Sequence, residues 1–387
     1  MRVQAPLLLV SFASLALEAC EGCVETPISA KPDEAPSFTN DAGSWLSMAA
    51  TPEGKPAIAY YDRSMDALGY AVGSVDKSGE ATWTREEVDS YPDENGLNAG
   101  DSGRYASMAI AASGQVWIAY QDTTNGTLKF AHKGDGVWEL GVADVGGGSK
   151  SDAGYWSALA LDASGSPVMA HYDKGKGNLR VAHHNGSTFT GEIAAEGEAF
   201  TPVDTGAGAE VVAGNVGEYA EIFIASDGTE HIAYYDRALG ALRLASGTAG
   251  SYSVTTVDDD GDVGQWPSIA MDGSTLWIAY QDVANQDLKV AHGTPGNFTT
   301  EVVDTGDHIG ADTAMFLDNG APGIVYFDGF ANDMKLARKS GDGWTAETVA
   351  GDQGALGYHN ETVKIGDSRF VACYDFTARA VFFSALP

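Results

Sequence analysis

Hydrophobic and polar residues alternate along the chain in short runs, and one of these runs recurs seven times. Alternate residues of a strand point to opposite faces, so Ile58 and Tyr60 of the first copy share one face and Ala59 lies on the other. A run of this kind between turn residues predicts a β-strand. The seven copies are IAYYD (58–62), IAYQD (118–122), MAHYD (169–173), IAYYD (232–236), IAYQD (278–282), IVYFD (324–328) and VACYD (371–375).

The residues around this run predict three further strands in each copy. A Ser-apolar-Ala start precedes it, as in SMA at 47–49. A second apolar run follows, such as LKFA at 128–131, and a Gly-rich turn then leads to an aromatic residue such as Trp138. Turn signals recur at roughly 8–12-residue spacing, and residues 40–387 show no sustained helical period. Each copy therefore predicts four antiparallel strands, a to d.

Seven copies of a four-strand unit predict an all-β, seven-bladed β-propeller, because one blade cannot bury its own faces. The unit is about 46–51 residues long, and insertions at 89–104 and 191–218 lengthen two d–a connections, where loops are expected to confer specificity. The chain ends just after strand c of the seventh copy. We therefore expect a segment within residues 23–40 to supply the missing strand and close the ring.

The first residues predict an export signal. Arg2 precedes an apolar run from Leu7 to Leu17, which is too short to span a bilayer but suits the core of a signal peptide. The sequence LEAC at 17–20 resembles the lipobox of bacterial lipoproteins, in which the cysteine, here Cys20, is lipidated; Glu18 is unusual in that box. Cleavage nearby to give a soluble secreted protein is the alternative.

These features divide the chain into three parts. We expect a signal peptide at 1–19, a linker with the closing strand at 20–40, and the propeller at 41–387. The predicted location is the outer membrane, cell surface or periplasm for a lipoprotein, or the extracellular medium. Membrane contact is expected only through the N-terminal lipid.

A strong excess of acidic residues narrows the range of partners. The chain has 22 Lys and Arg against 54 Asp and Glu, which gives a formal net charge of −32, and it has no basic cluster. Binding to phosphate backbones needs a basic surface, so nucleic acid is not an expected partner. Negative charge of this size keeps an exported protein soluble, and we expect a monomer. The same charge permits cation binding.

The aspartate that ends each recurring run is expected to be structural. It opens the turn between strands b and c, where a carboxylate accepts hydrogen bonds from backbone N–H groups. Its presence in all seven copies favours that role, because a ligand site seldom uses every blade. These turn aspartates are Asp62, Asp122, Asp173, Asp236, Asp282, Asp328 and Asp375.

Aromatic residues that precede strand a form the candidate ligand site. The d–a and b–c connections lie on one face of a propeller, so these rings are predicted to surround one end of the central channel. Aromatic faces beside carboxylates suit a sugar, because rings stack on C–H faces and carboxylates accept hydroxyl protons. The alternative is that the rings only plug the channel or pack on the next blade. The sixth copy departs, with Ala311 at the matching place and His308 slightly before it. The candidates are Trp45, Tyr105, Tyr155, Trp156, Tyr219, Trp266, Tyr358 and His359.

The acidic loop 258–262 is the candidate metal site. Asp258, Asp260 and Asp262 have the alternating spacing that could chelate Ca²⁺ from a loop. Val263 and Ile269 stand where an EF-hand loop has its glycine and its bidentate glutamate, so a solvated structural loop is the alternative. Calcium apart, no cofactor is expected, because zinc, nucleophile and phosphate-loop motifs are missing.

Two further cysteines leave two interpretations. Cys23 and Cys373 could pair and tie the N-terminal segment to the last repeat. Cys373 stands where other copies have Tyr, which favours a buried free thiol.

The repeat resembles those of secreted bacterial propellers grouped with sialidases and fucose-specific lectins. Its IAYxD–turn–LKxA part is most similar to a strand pair of fucose-specific lectin blades, and the resemblance covers about 45–387. It implies the propeller fold. The sialidase Asp-box is missing, because SGDGW at 340–344 lacks its spacing, and strand a carries no repeated arginine. Sialidase chemistry is therefore not expected.

Two functions follow from these residues, and a scaffold whose role is assembly only is the remaining possibility. The first is a non-enzymatic binding module for a glycan or a protein, favoured by the aromatic and carboxylate ring and the lack of a catalytic motif. The alternative is a polysaccharide hydrolase or lyase with paired carboxylates. Its candidates are Asp62 beside Arg63 and Asp236 beside Arg237.

Overall fold

The computed structural model describes residues 33–35, 38, 41–90, 100–197, 214–351 and 354–387. The predicted signal peptide, Cys20, Cys23 and much of both insertions lie outside this range. Within it the chain forms seven antiparallel β-sheets and no helix. None of the described residues therefore form a helix that could cross a membrane. The predicted all-β, seven-bladed propeller is confirmed.

Each blade is formed from one copy of the repeat. The strands of the first four blades are β1 (Asp33–Ala35), β2 (Ala42–Ala50), β3 (Pro56–Asp62), β4 (Ala67–Val75) and β5 (Ala81–Asp89); β6 (Ser102–Ile110), β7 (Val116–Asp122), β8 (Thr127–Lys133) and β9 (Trp138–Asp144); β10 (Tyr155–Leu161), β11 (Pro167–Asp173), β12 (Asn178–His184) and β13 (Phe189–Ala195); and β14 (Val216–Ile224), β15 (Glu230–Asp236), β16 (Ala241–Thr248) and β17 (Ser251–Asp258). Those of the last three are β18 (Val263–Asp272), β19 (Thr275–Asp282), β20 (Asp287–Thr294) and β21 (Asn297–Asp304); β22 (Ile309–Asp318), β23 (Ala321–Asp328), β24 (Asp333–Ser340) and β25 (Gly343–Ala350); and β26 (Leu356–Ile365), β27 (Ser368–Asp375) and β28 (Ala380–Ala385).

The recurring run forms strand b, which lies between strands a and c of its sheet. Ile58 and Ala59 point to opposite faces of β3, yet both are fully buried. Both faces are buried because each blade packs against its neighbours, so a single copy could not form this core alone.

The a strands of the seven blades form a closed ring around the axis; they are β2, β6, β10, β14, β18, β22 and β26. Each contacts the first strands of both neighbouring blades, including β26 with β2. At that last seam the backbone N–H of Asp41 donates to the carbonyl of Arg379 over 3.1 Å, and the Tyr374 hydroxyl donates to the Asp41 carboxylate. Residues just before β2 therefore seal the ring.

The expected fourth strand of the last blade is not what residues 33–35 form. These residues pair with β5 and add a fifth strand to the outer edge of the first blade, while the described part of the last sheet has three strands. Phe38 lies close to the same blade. Its ring packs 5.0 Å from Tyr60 and 5.4 Å from Trp83, both in the first blade. Its core cluster also includes Val363 and Phe370 of the last blade.

Four described d strands end in an aspartate that the next blade covers. Asp89 accepts a hydrogen bond of 2.7 Å from the Tyr120 hydroxyl and lies 2.9 Å from Nζ of Lys129. The equivalent groups are Asp144 with His171 and Arg180, Asp258 with Tyr280 and Lys289, and Asp304 with Tyr326 and Lys335.

Asp144 shows the balance of forces in these interblade pairs. Burial alone raises the pKa of its carboxyl group. The hydrogen bonds from His171 and Arg180 outweigh burial and bring the pKa well below its ordinary value. The carboxylate therefore stays charged between the second and third blades.

The turn aspartates accept hydrogen bonds from nearby backbone. Oδ1 of Asp62 accepts from the N–H of Ser64 at 2.9 Å, and five others do the same in their own turns. Asp173 instead accepts from the N–H of Asp152 at 3.0 Å. Cys373 in β27 is a buried free thiol, and burial raises its pKa.

Candidate functional site

One residue near the start of each a strand lines a shared cavity. Because the seven residues come from seven blades, that cavity lies on the propeller axis, at the end where strand b meets its turn with strand c. We term them the ring residues. They are Trp45, Tyr105, Trp156, Tyr219, Trp266, Asp312 and His359.

Every ring residue has a left-handed backbone. The φ angle runs from 44° at Trp45 to 56° at Tyr219. Non-glycine residues seldom adopt this region, and each such residue costs about 1–3 kcal/mol. Seven equivalent residues with unfavourable φ angles surround one cavity. This indicates that the fold keeps a less stable backbone conformation at these positions because it directs the side chains to the axis.

A β-bulge holds each ring residue in this conformation. In β2 the register with β3 shifts between Ser44 and Ser47, so Trp45 lies in a stretch without a regular partner. The other six a strands shift at the equivalent place. Bulges bend a strand and re-aim a side chain, which here places it over the channel.

A glycine two residues before each ring residue allows this bulge to approach the preceding blade. Gly103 has a φ of 113°, and a Cβ there would lie 2.7 Å from Cα of Leu68. Only glycine fits such a position without displacing backbone. The resulting motifs are GSW (43–45), GRY (103–105), GYW (154–156), GEY (217–219), GQW (264–266), GAD (310–312) and GYH (357–359).

Six of the ring residues carry rings that follow one another around the axis. The centroid separations are 5.3 Å for Trp45–Tyr105, 5.6 Å for Tyr105–Trp156, 4.8 Å for Trp156–Tyr219, 4.5 Å for Tyr219–Trp266 and 5.5 Å for His359–Trp45. The circle is completed by Asp312, whose Oδ1 lies 3.4 Å from Nδ1 of His359. Aromatic rings and one carboxylate therefore surround the channel entrance.

The sixth blade corrects one expectation. Ala311 is not the matching residue; Asp312, which follows it, has the positive φ and lines the cavity. The physical reason is the glycine spacing, since Gly310 stands two residues before Asp312 and not before Ala311. His308 lies in the preceding turn, where its carbonyl accepts from the N–H of Gly329.

The axial cavity has a volume of about 140 Å³. Pockets for drug-sized ligands are about 300–1,000 Å³, whereas a cavity of about 150 Å³ in another protein holds one benzene. The axial cavity is therefore large enough for one six-membered ring or a group of similar size.

Two glutamates lie deeper in the cavity wall. Glu221 and Glu361 each follow a ring residue by two positions, in β14 and β26, and we term them the carboxyl pair. Burial raises the pKa of Glu221 to about 7. Burial, together with the nearby charge of Glu221, raises that of Glu361 well above its ordinary value. Each keeps a part of its surface accessible through the cavity. At neutral pH the pair therefore retains at least part of its protons.

No described cation neutralises the carboxyl pair. None of the lining residues is lysine or arginine. Asn360, which is 5% exposed, lies between the ring residue His359 and Glu361 in the sequence. Its Nδ2 donates to the carbonyls of Asp312 (2.9 Å) and Gly357 (2.8 Å), while its Oδ1 has no hydrogen-bond partner. The cavity wall thus contains an unpaired amide oxygen and two carboxyl groups, and its lining residues include no lysine or arginine.

Two of the eight predicted aromatic residues lie outside the cavity wall. Tyr155 stands beside Tyr105 at 5.5 Å, and its hydroxyl donates to Asp152 at 3.1 Å. Tyr358 packs 4.5 Å from Phe327. The other six are ring residues, brought together by the bulges.

The carboxylates that the sequence suggests for hydrolysis lie apart. Arg237 contacts Glu218 at 2.6 Å, and Asp236 accepts from the backbone of its own turn. Asp62 and Asp236 belong to different blades, one and four. Glu221 and Glu361, in contrast, interact electrostatically in the cavity wall.

The three aspartates of the acidic loop differ in their contacts, and Asp260 takes part through its backbone N–H, which donates to Oδ1 of Asp258 at 3.1 Å. Asp258 lies 2.5 Å from Nζ of Lys289, and Asp262 accepts from the Tyr235 hydroxyl at 2.6 Å. Among the residues that the structure describes, no group of three His, Cys, Asp or Glu is placed to hold a metal ion. Calcium at this loop stays a prediction.

The carboxyl pair is the part of the site that the sequence patterns missed. Ser47, Ser107 and Ser268 occupy the equivalent position in three blades, where Ser47 Oγ accepts from the N–H of Met108 at 3.1 Å. Glutamate at a position otherwise held by serine or alanine is the signal that could have identified Glu221 and Glu361. It becomes visible only when the copies are aligned on the glycine.

Comparisons with known proteins show the fold. No family model matches the chain, and no curated protein sequence matches it. A protein of unknown function from Dyadobacter fermentans is similar in structure, with a TM-score of 0.50 and 10% identity over 92% of this chain and 100% of that one. The dihydro-heme d1 dehydrogenase NirN has a TM-score of 0.51 and 12% identity over 88% of this chain and 66% of that one. The fucose-specific lectin from Aleuria aurantia has a TM-score of 0.46 and 15% identity over 82% of this chain and 99% of that one. At these identities the likeness shows a propeller fold alone.

Proposed function

We propose that this protein is an exported, lipid-anchored binding propeller whose axial cavity receives one sugar residue of a glycan. The observation that carries the proposal is the circle of seven ring residues, which seven bulges direct to the axis. Aromatic faces stack on the C–H faces of a sugar, and hydroxyl groups donate to carboxylates. The cavity volume of about 140 Å³ suits a single ring at the end of a chain.

Export and the lipid anchor rest on the sequence alone. The apolar run from Leu7 to Leu17 and the lipobox ending at Cys20 support them. Metabolic labelling with palmitate tests the anchor. We expect label in the full chain and none in Cys20→Ser, and label in neither would contradict the anchor while leaving the binding site untouched.

A glycan array tests the binding function. We expect wild-type protein to bind a defined set of glycans and Trp156→Ala to lose most of that binding, because Trp156 contacts both Tyr105 and Tyr219 in the ring. Trp277→Ala is the matched control. Trp277 stacks on His292 at 4.7 Å and does not line the cavity. An array without hits, or hits that Trp156→Ala retains in full, would reject the proposal.

The carboxyl pair favours one second function, which is glycoside hydrolysis at the same cavity. Hydrolysis needs one protonated and one ionised carboxyl group across the scissile bond, and raised pKa values supply the protonated form. Glu221 and Glu361 have the required environment. If glycans found on the array are cleaved on incubation, Glu221→Gln and Glu361→Gln should each abolish cleavage and preserve binding. Intact glycans after prolonged incubation would leave binding as the function.

A further inference from the structure

The wall of the axial cavity carries acidic groups, and a neutral sugar would leave them without a positive partner. Asp312 in the ring and Glu221 and Glu361 below it all contribute to the wall, and no lysine or arginine of the described residues does. Asp312 is only 7% exposed. Its one close partner of opposite character is His359, at 3.4 Å. Three carboxyl groups therefore face a space whose lining residues carry no fixed positive charge. The guanidinium of Arg104 lies outside that lining, 5.6 Å from the centroid of the Trp45 ring.

The rings around that space are suited to a cation. Tryptophan and tyrosine faces carry the negative side of the ring quadrupole and attract a cation within about 6 Å of the centroid. Five such rings follow one another with separations of 4.5–5.6 Å, from Trp45 to Trp266. A group held at their centre has aromatic rings on several sides, and cages of such rings bind ammonium groups elsewhere.

An unpaired acceptor points the same way. Oδ1 of Asn360 is buried and lacks a hydrogen-bond partner, and no described lysine or arginine lines the cavity beside the two glutamates. A buried acceptor without a donor is unfavourable, so a ligand with N–H groups and positive charge would satisfy several groups at once. An acidic sugar would instead meet repulsion from the ionised carboxyl groups of the wall.

We propose that the axial cavity selects an ammonium group, so that the glycan it receives ends in an amino sugar with a free amine. This inference rests on the proposed function for the sugar part and on the cavity chemistry for the charge. The single-ring volume restricts the bound unit to the terminal residue. Neutral and N-acetylated residues lack the charge, and acidic residues carry the wrong sign.

Proton linkage gives the proposal a specific signature. The carboxyl pair has raised pKa values because it is buried without a cation, and a bound ammonium group would lower them. Binding therefore releases protons and strengthens as pH rises through about 7. The other titratable groups that face the pair across the cavity are Asp312, His359, Tyr105 and Tyr219.

Three tetrasaccharides with the same β-1,4 backbone test the charge directly by calorimetry at 150 mM salt. We expect the glucosamine tetramer to bind at least tenfold more tightly than the N-acetylglucosamine and glucose tetramers. Choline and its uncharged isostere 3,3-dimethylbutan-1-ol test the cage without sugar, with choline at least tenfold tighter. Choline keeps its charge at all pH values, and its affinity should rise about tenfold or more from pH 5.5 to 8.

Matched variants separate the cavity from the overall charge. Asp312→Asn should weaken glucosamine tetramer and choline about tenfold or more, whereas Asp342→Asn, an exposed turn residue, should not. Glu221→Gln combined with Glu361→Gln should abolish the pH dependence of choline binding.

The possible results bear on the ammonium inference and on the glycan site separately. Equal or tighter binding of the neutral or acetylated tetramer would overturn the ammonium inference and leave the glycan site standing. Binding of choline without any tetramer would reject a glycan as the ligand and retain the inferred selectivity for an ammonium group. Binding of none of the five probes would overturn both, and equal loss in Asp342→Asn would assign the effect to overall charge and overturn the inference.

Discussion

At the scale of single residues, the ring residues show side chains and backbone in conflict. Bulky residues avoid positive φ because Cβ crowds the carbonyl oxygen, yet Trp45, Trp156 and Trp266 all have it. The bulge and the preceding glycine determine the backbone, so the side chain has to accept it. Strain of this kind persists where the surrounding structure over-determines the conformation.

Replacement of Trp266 should therefore reverse the usual order of alanine and glycine. At a left-handed position glycine relieves strain that alanine keeps, so Trp266→Gly should be more stable than Trp266→Ala by about 1 kcal/mol in urea unfolding. At Trp277, which has no positive φ, Trp277→Gly should be the less stable of the two. If the alanine and glycine variants rank in the same order of stability at both positions, the result would contradict backbone strain at Trp266.

The carboxyl pair should make stability depend on pH. A carboxyl group whose pKa is raised by folding binds more protons in the folded state, so its stabilising effect is complete below the unfolded pKa, near 4, and is lost as pH rises to about 7. For Glu221 the loss is about 3 kcal/mol, because a tenfold change in protonation corresponds to about 1.4 kcal/mol. Glu221→Gln and Glu361→Gln should flatten this fall in thermal melts between pH 4.5 and 8.

The rest of the acidic surface provides the control for that measurement. The net charge of −32 also lowers stability as pH rises, through repulsion between surface carboxylates. Asp342→Asn removes one such charge at an exposed turn and should leave the slope unchanged. If it flattens the slope as much as Glu221→Gln does, the pH dependence belongs to the surface and not to the cavity.

At the scale of strands and blades, stability depends on charges buried between neighbours. The aspartate at the end of strand d, the tyrosine or histidine of strand b and the basic residue of strand c belong to two adjacent blades. Asp258 is 7% exposed and Lys289 is 7% exposed. Breaking such a pair leaves the remaining charge buried, which is more costly than removing both charges.

Asp258 and Lys289 should therefore show strong coupling. Asp258→Asn should lower the free energy of unfolding by about 3 kcal/mol, because Lys289 keeps a buried charge and loses the nearer of its two carboxylates, with Asp282 remaining 3.8 Å away. The double change Asp258→Asn with Lys289→Met should recover much of that loss. Urea unfolding measures both. Additive losses in the double variant would contradict a buried ion pair, and a fall in stability on adding EDTA to the wild type would instead favour calcium at this loop.

The strands themselves were predictable because their signals are local. Period-two alternation and turn residues identified strand b in all seven copies, and Tyr60 or Tyr120 lies where that pattern places it. Register was harder, because a bulge inserts a residue that alternation cannot reveal. That is why Ala311 was expected where Asp312 stands. The glutamates were missed for the same reason, since their position becomes comparable with Ser47 only after the bulges are aligned.

At the scale of the whole molecule, closure of the ring depended on information that no local pattern contains. Residues 33–35 join the outer edge of the first blade, and the nearby Phe38 packs in a core cluster that the first and last blades share. The seam itself repeats a contact used inside the ring. Tyr61 donates to Asp101 and Tyr235 to Asp262 across neighbouring blades, as Tyr374 does to Asp41.

Loss of the seam contact should have effects at both ends of the chain. Tyr374→Phe removes the donor to Asp41, and we expect faster hydrogen exchange in both β2 and β27, because the seam has no covalent connection between those blades within the described residues. Tyr235→Phe removes the same contact between blades joined by the chain. It should raise exchange only near its own interface, and equal spreading in both variants would contradict a special role for the seam.

The glycine-anchored bulge also has a consequence for how such a molecule can diversify. The bend is determined by Gly310 and its equivalents and by main-chain pairing, and the side chain at the tip has no part in it. Trp, Tyr, His and Asp already occupy that tip in one chain. The seven ring positions share one backbone conformation and can thus accept new side chains one at a time. Ligand preference can therefore change during evolution, or be re-engineered, while the blades keep their structure.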